Sequence, residues 1–162
     1  MHNNKNNKVQ LIAIDVDGTL TDGGIYYTEN GEEFKKFSVK DGLGINLAHD
    51  AGIEILVITG RKSQIVSRRM RELKVDYIVQ GVENKAKFLE NFLKEKSISP
   101  KNVCYIGDDL NDLDAMKLCF FKCCPADAVD EVKLVVDFIS CKNGGYGAVR
   151  ECIEWLIKVA MR

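Results

Sequence analysis

Residues 11–24 read LIAIDVDGTLTDGG. An apolar run leads directly into Asp15, and Asp17 follows after a single valine. Such a run, closed by Gly18 and the threonines Thr19 and Thr21, reads as a buried strand that delivers two carboxylates to its end. Two carboxylates at one buried spot repel each other, and desolvating them is costly unless something positive sits between them. The stretch therefore requires a cation that the chain must either supply or bind.

Outward from this point the chain alternates. Residues 9–16 form the first expected strand. Residues 23–39, GGIYYTENGEEFKKFSV, alternate around Glu29-Asn30-Gly31, and Asn-Gly between two such runs signals a hairpin. A helix is expected over 41–51, ending at Gly52, then a strand over 53–59 and a basic amphipathic helix over 62–73. VDYIV (75–79) is a short strand, and 83–96 a helix stopped near Ser99-Pro100. Residues 103–109, VCYIGDD, give a fourth strand; a short helix and then LCFFKCC, a fifth strand, follow. Helices near 127–133 and 146–160 complete the pattern. Strands alternating with helices predict an α/β fold with a mostly parallel sheet, the hairpin being the exception.

The whole chain fits that reading. It has 162 residues, 46% hydrophobic and 29% charged, which suits one soluble domain over 1–162. The net charge of −1 offers no bulk basic field for nucleic acid or an anionic membrane. No apolar run reaches the roughly 20 residues of a membrane span. The polar start MHNNKNNK reads as a frayed terminus rather than a signal peptide, so a cytoplasmic location is expected. The six cysteines contain no CxxC pair and read as reduced, buried small hydrophobes.

In a parallel sheet, ligands bind beyond the carboxyl ends of the strands. Three strand ends carry chemistry: Asp15-Val16-Asp17, Thr59-Gly60-Arg61 and Gly107-Asp108-Asp109, the last with Asp112 and Asp114 in the next turn. Asp15, Asp17 and Asp108 are expected to converge there. A few carboxylates with open water positions suit magnesium (Mg2+).

These motifs resemble those of the haloacid-dehalogenase-type phosphatases. DVDGTLTDG resembles the first family motif, TGR the second, Lys85 in ENKAKF the third and GDDLND the fourth. The resemblance implies a three-layer Rossmann-like core. It implies Asp15 as the nucleophile that forms an aspartyl-phosphate, and Asp17 as the acid that protonates the leaving alcohol and then activates water. Magnesium would be held by Asp15, the backbone carbonyl of Asp17 and Asp108. Thr59 and Lys85 would contact phosphoryl oxygens, while Asp109 and Asp112 would brace the metal's waters and Lys85.

Neither the gap 22–52 nor the gap 61–85 is large enough for the cap domain that many members of that family carry. An uncapped site takes large substrates or borrows a lid. The chain is similar, nearly end to end, to the cap-less phosphatases acting on 3-deoxy-D-manno-octulosonate 8-phosphate. The shared stretches include DVDGTLTDGGIYY, GEEFKKFSVKDGLGI and KNGGYGAVRE. That resemblance implies an acidic sugar phosphate as substrate, a role in lipopolysaccharide biosynthesis and a homotetramer assembled through the hairpins. It also implies a glycine-rich segment (Gly144, Gly145, Gly147) mobile enough to cover a neighbouring site. Arg61 is expected to bind the sugar carboxylate, with Lys62, Arg68 and Arg69 as weaker candidates. Arg61 and the KDGLG segment favour the eight-carbon sugar over a sialic-type nonulosonate 9-phosphate. Transfer of the aspartyl-phosphate to an alcohol, or a non-catalytic assembly module of the same fold, are the other readings.

Overall fold

A computed structural model describes residues 9–160. The polar residues 1–8, expected to fray, lie outside them. The chain runs β1 (Leu11–Ile14), β2 (Tyr26–Tyr27), β3 (Glu33–Phe34), α1 (Val39–Asp50), β4 (Glu54–Thr59), α2 (Gln64–Glu72), β5 (Tyr77–Gln80) and α3 (Lys85–Lys96). It continues with β6 (Val103–Ile106), α4 (Leu113–Leu118), β7 (Phe121–Cys124), α5 (Asp130–Lys133), β8 (Phe138–Ile139) and α6 (Ala148–Ala160).

Six strands form one sheet in the order β5-β4-β1-β6-β7-β8, and every pairing in it is parallel. Strand β1 is central and completely buried, which explains why its sequence does not alternate. Its side chains still divide by parity. Ile12 and Ile14 join one core with Ile45, Ala48, Val66, Met70, Ile153 and Leu156 from α1, α2 and α6. Leu11 and Ala13 join the other with Leu89, Leu93, Met116 and Val132 from α3, α4 and α5. The result is the expected three-layer α/β core. Among the described residues no cap domain is inserted; the hairpin and α1 fill the space between β1 and β4.

Three local features add to the sequence reading. A sixth strand, β8, pairs with β7 although it is only two residues long. The hairpin connection spans five residues and contains the expected Glu29-Asn30-Gly31: Thr28 N–H donates to the Glu32 carbonyl at 2.9 Å and Gly31 N–H to the Thr28 carbonyl at 3.0 Å. Residues 40–44, KDGLG, lie within α1, in line with the helix expected over 41–51. Asp41 there accepts from the backbone N–H groups of Gly147 (3.2 Å) and Arg150 (3.0 Å), satisfying orphan donors at the start of α6. Gly44 lets α6 pass close by, since a Cβ there would meet Arg150 Cα at 2.8 Å. The cysteines are free, and all but the exposed Cys141 are buried as expected.

The glycine-rich segment is seated on the chain's own first loop. Gly145 N–H donates to the Thr19 carbonyl at 3.1 Å, and Gly144 N–H to Asp127 at 2.9 Å. A Cβ at Gly144 would lie 1.8 Å from the Gly18 carbonyl oxygen. Close backbone approach, rather than mobility, is thus the reason for glycine here. Gly144→Ala is expected to lower stability by about 1–3 kcal/mol or more, because neither backbone has a side chain that can yield. Urea unfolding measures this; an unchanged midpoint would contradict the packing.

Candidate active site

Strand β1 ends one residue before Asp15, whose N–H donates to the Ile106 carbonyl at 3.0 Å and so continues the ladder toward β6. The chain then turns sharply over Val16–Leu20. Asp17 (φ −78°, ψ 112°) and Gly18 (φ +92°) leave helical geometry in this turn. Gly18 also has no room for a side chain, because a Cβ there would meet Asp108 Oδ2 at 2.0 Å. The parallel register sets Ile14 beside Val57 of β4 and beside Ile106 of β6. Asp15, Thr59 and Asp108 therefore arrive at one edge of the sheet.

Lys85 opens α3, just after its cap Asn84, which accepts from Lys87 N–H at 2.9 Å. Its Nζ donates to Asp15 Oδ1 at 2.6 Å and to Asp112 Oδ1 at 2.8 Å, and the side chain is 3% exposed. Asp112 is completely buried and fully engaged. Its Oδ1 also accepts from the Tyr105 hydroxyl at 2.8 Å, and its Oδ2 from the backbone N–H groups of Asp108 (3.1 Å) and Asp109 (3.3 Å). Asp108 Oδ1 accepts from the Thr19 hydroxyl at 2.8 Å.

Burial pushes the Asp15 carboxyl up to about 8, with the Asp112 charge adding to the push and Lys85 opposing it. Burial likewise raises Asp108 to about 6, against the pull of the Thr19 hydrogen bond. Burial works against the Lys85 ammonium, yet Asp15 and Asp112 hold its pKa above the ordinary lysine value.

Asp15, Asp108 and Asp112 each offer an oxygen within 4.8 Å of the others. Both Asp112 oxygens already accept hydrogen bonds, so the donor set with capacity to spare is Asp15 and Asp108. Two crowded carboxylates at a sheet edge fit a hard divalent cation of the magnesium type. An all-oxygen set of this kind does not favour a soft metal.

The remaining expected residues are placed as follows. Thr59 is the last, buried residue of β4, and its hydroxyl accepts from Arg61 N–H at 3.4 Å. Asp109 is exposed and accepts from Leu110 N–H at 2.7 Å, capping the turn Leu110–Asp112; Lys85 pairs with Asp15 and Asp112 instead. Asp114 pairs with Lys117 on the surface. Arg61 is 41% exposed on its side chain and already engaged, with Nη2 donating to Glu33 Oε1 at 2.9 Å. Arg68 and Arg69 both pair with Glu72 on α2, which makes that helix a solvated basic face rather than part of the site. Asp17 Oδ1 accepts from Lys35 Nζ of the hairpin at 2.5 Å.

Sequence reading missed Thr19, Tyr105, Glu33 and Lys35. Thr19 lies inside the first motif and could have been found there. Tyr105 could have been found by strand parity, being the one residue of β6 with a polar tip. For Lys35 and Glu33 only the alternation within GEEFKKF hinted that the two share a face.

The arrangement provides a carboxylate held at one oxygen, a second carboxylate two residues on, a buried ammonium and a hard-cation donor set. Together these can support displacement at phosphorus. Comparison with known proteins agrees. The haloacid dehalogenase-like hydrolase family model matches residues 77–153. The chain is 40% identical over 153 residues to the 3-deoxy-D-manno-octulosonate 8-phosphate phosphatase of Escherichia coli strain K12, covering 94% of this chain and 81% of that protein. It is 37% identical over 150 residues to the Haemophilus influenzae protein of the same name, covering 93% and 83%. The crystal structure of the Moraxella catarrhalis phosphatase, in complex with magnesium, phosphate and the octulosonate sugar, superposes with a TM-score of 0.90 at 40% identity, covering 97% of this chain and 92% of that one. The cobalt-bound Haemophilus influenzae enzyme gives 0.89 at 36% identity, covering 96% and 91%. This chain belongs to the 3-deoxy-D-manno-octulosonate 8-phosphate phosphatase family of haloacid dehalogenase-like hydrolases.

Proposed function

We propose that the chain is a magnesium-dependent phosphomonoesterase that hydrolyses 3-deoxy-D-manno-octulosonate 8-phosphate to the free sugar and phosphate. The observation that carries this reading is the buried Asp15–Lys85–Asp112 cluster beside Asp108, in a chain alike over nearly its whole length to phosphatases of that name. Asp15 is the nucleophile. Lys85 holds its Oδ1, which leaves Oδ2 to bond phosphorus while the bond from phosphorus to the sugar oxygen breaks. The sugar oxygen takes a proton from Asp17. In the second half-reaction a water molecule gives a proton to Asp17 as its oxygen bonds phosphorus. The Asp15–phosphorus bond then breaks and phosphate leaves. Thr59 donates to one phosphoryl oxygen, and Lys85 neutralises another. Asp112 holds Lys85, and Asp109 steadies the turn that carries Asp112. Asp15, the Asp17 carbonyl and Asp108 hold the magnesium ion, which when bound offsets the repulsion between carboxylate and phosphate. Arg61 receives the sugar carboxylate, a role that requires Glu33 to give way.

Phosphate release should be measured with magnesium on the octulosonate 8-phosphate, a nonulosonate 9-phosphate, a hexose 6-phosphate and p-nitrophenyl phosphate. The first is expected to be strongly preferred, and Asp15→Asn to abolish turnover on all of them. Equal weak rates on all four would remove the substrate assignment and leave the phosphatase chemistry.

The raised pKa values of Asp15 and Asp108 give a pH dependence with a definite sign. Each carboxyl holds its proton more tightly folded than unfolded, so the stability these two groups contribute to the metal-free protein is fully present below about 4 and is lost as pH rises through about 6 for Asp108 and about 8 for Asp15. Magnesium competes with those protons. The rise in melting temperature on adding magnesium is therefore expected to be larger at pH 8 than at pH 5, and an equal rise at both would contradict the assigned ligands.

The hairpin supports assembly. A two-stranded ribbon is marginal alone, and Ile25, Tyr27 and Phe34 on it are each more than half exposed, at 59%, 62% and 52%. These apolar faces are buried between copies in a homotetramer. Deleting residues 24–37 is expected to shift the particle toward monomer by light scattering; an intact tetramer would remove the hairpin from the assembly. No described helix is long and apolar enough to cross a membrane, and the near-neutral charge fits a small acidic substrate in the cytoplasm rather than nucleic acid.

A further inference from the structure

The site holds a second buried lysine. The Lys35 side chain is 1% exposed, with Nζ 2.5 Å from Asp17 Oδ1 and 3.5 Å from Glu33 Oε1. Glu33 Oε1 in turn accepts from Arg61 Nη2 at 2.9 Å. Charges therefore alternate along a line from Asp17 through Lys35 and Glu33 to Arg61, joining the first motif, the hairpin and the end of β4. The next residue, Lys36, points the other way. It donates to the Gly145 carbonyl at 3.3 Å and lies 3.0 Å from the centre of the Tyr146 ring. The second hairpin strand is thus fastened on one side to Asp17 and on the other to the glycine-rich segment.

Lys35 repeats for Asp17 what Lys85 does for Asp15. In each case a buried ammonium donates to Oδ1 of a first-motif carboxylate and not to Oδ2. Asp17 needs such a partner. It sits in a sharp turn, its side chain is 27% exposed, and two free rotations would carry its carboxyl away from the leaving oxygen. Proton transfer requires that oxygen to lie within hydrogen-bond reach. Burying an ammonium only to fasten a ribbon is costly, since its desolvation is offset only by close partners.

We propose that Lys35 is the positioning residue of Asp17: it fixes the carboxyl so that its free oxygen faces the leaving group, and it makes the hairpin part of the active site. The proposal rests on the reading of Asp17 as the acid and base. It also gives the hairpin a second task beside assembly, because a displaced hairpin leaves Asp17 unaligned while Asp15, Lys85 and Asp108 stay in place.

Leaving-group dependence tests this. A sugar alkoxide must be protonated as it leaves, whereas nitrophenolate leaves without a proton. Lys35→Met is expected to slow the first turnover of the sugar phosphate by about 10- to 100-fold, the scale of a misplaced reacting group. The burst of nitrophenolate from p-nitrophenyl phosphate is expected to change by less than about threefold, and the steady rate after it to fall because the aspartyl-phosphate still needs Asp17 to activate water. Lys35→Arg, which keeps the charge, is expected to restore most of the loss. Equal slowing of both first turnovers, or a rise in KM alone, would overturn the proposal in favour of a structural or substrate-binding lysine. Should Lys35→Met fail to fold by circular dichroism, Lys35→Gln, which keeps a polar tip without the charge, takes its place. It is expected to slow the sugar phosphate more than the burst, and an unchanged ratio would overturn the proposal. Wild-type turnover of p-nitrophenyl and hexose phosphates without the octulosonate ester would remove only the substrate assignment, and the hexose ester would then serve in the Lys35 comparison. A wild-type protein without any phosphatase activity would remove both.

Discussion

One buried ammonium organises the centre of this protein. Lys85 is 3% exposed and touches Asp15 and Asp112, with Asp108 close by. Without it, three carboxylates would share a space where burial already raises Asp15 to about 8. A buried ion pair contributes little net stability, because desolvation offsets most of the attraction. Its use here is to orient. Lys85 occupies one oxygen of Asp15, and Tyr105 and two backbone N–H groups complete the shell of Asp112. Removing Lys85 would strand charges that nothing else in the layer can neutralise.

The parallel sheet determines where that cluster can form. Strands β1, β4 and β6 lie side by side with their carboxyl ends aligned, so Asp15, Thr59 and Asp108 need only short turns to meet. The cores on both faces hold those ends rigidly, through Ile12 and Ile14 on one side and Leu11 and Ala13 on the other. What wraps the site is lighter. The hairpin has two-residue strands, and the glycine-rich segment leans on the first loop through backbone contacts. Precision therefore resides in the strand ends, and the wrapping segments are held to them by a small number of specific contacts.

Electrostatics at the rim follow the same division. The formal charge of the chain is only −1, so attraction for an anionic substrate comes from individual cations. Arg68 and Arg69 are paired with Glu72 away from the site. Arg61 and Lys35 share Glu33, a carboxylate of the chain itself seated between two cations beside the catalytic turn.

The fold was legible in the sequence wherever the signal was local. Continuous apolar runs marked β1, β4 and β6, the motifs ending them named Asp15, Asp17, Thr59, Asp108 and Asp112, and ENKAKF at the start of α3 named Lys85. Strand β8 was not legible, because two residues carry no periodicity and pair only where β7 already lies. KDGLG read as a substrate feature, yet Asp41 and Gly44 serve the docking of α6, whose partners Gly147 and Arg150 lie more than a hundred residues away (106 and 109). The sequence by itself determined the chemistry at the strand ends, because those residues sit where the chain must turn. Only the tertiary structure decided that Lys35 holds Asp17, that Glu33 occupies Arg61 and that Thr19 reaches Asp108 across 89 residues. Side-chain pairing across such separations depends on how the sheet and hairpin bring distant segments together, and no local pattern encodes that.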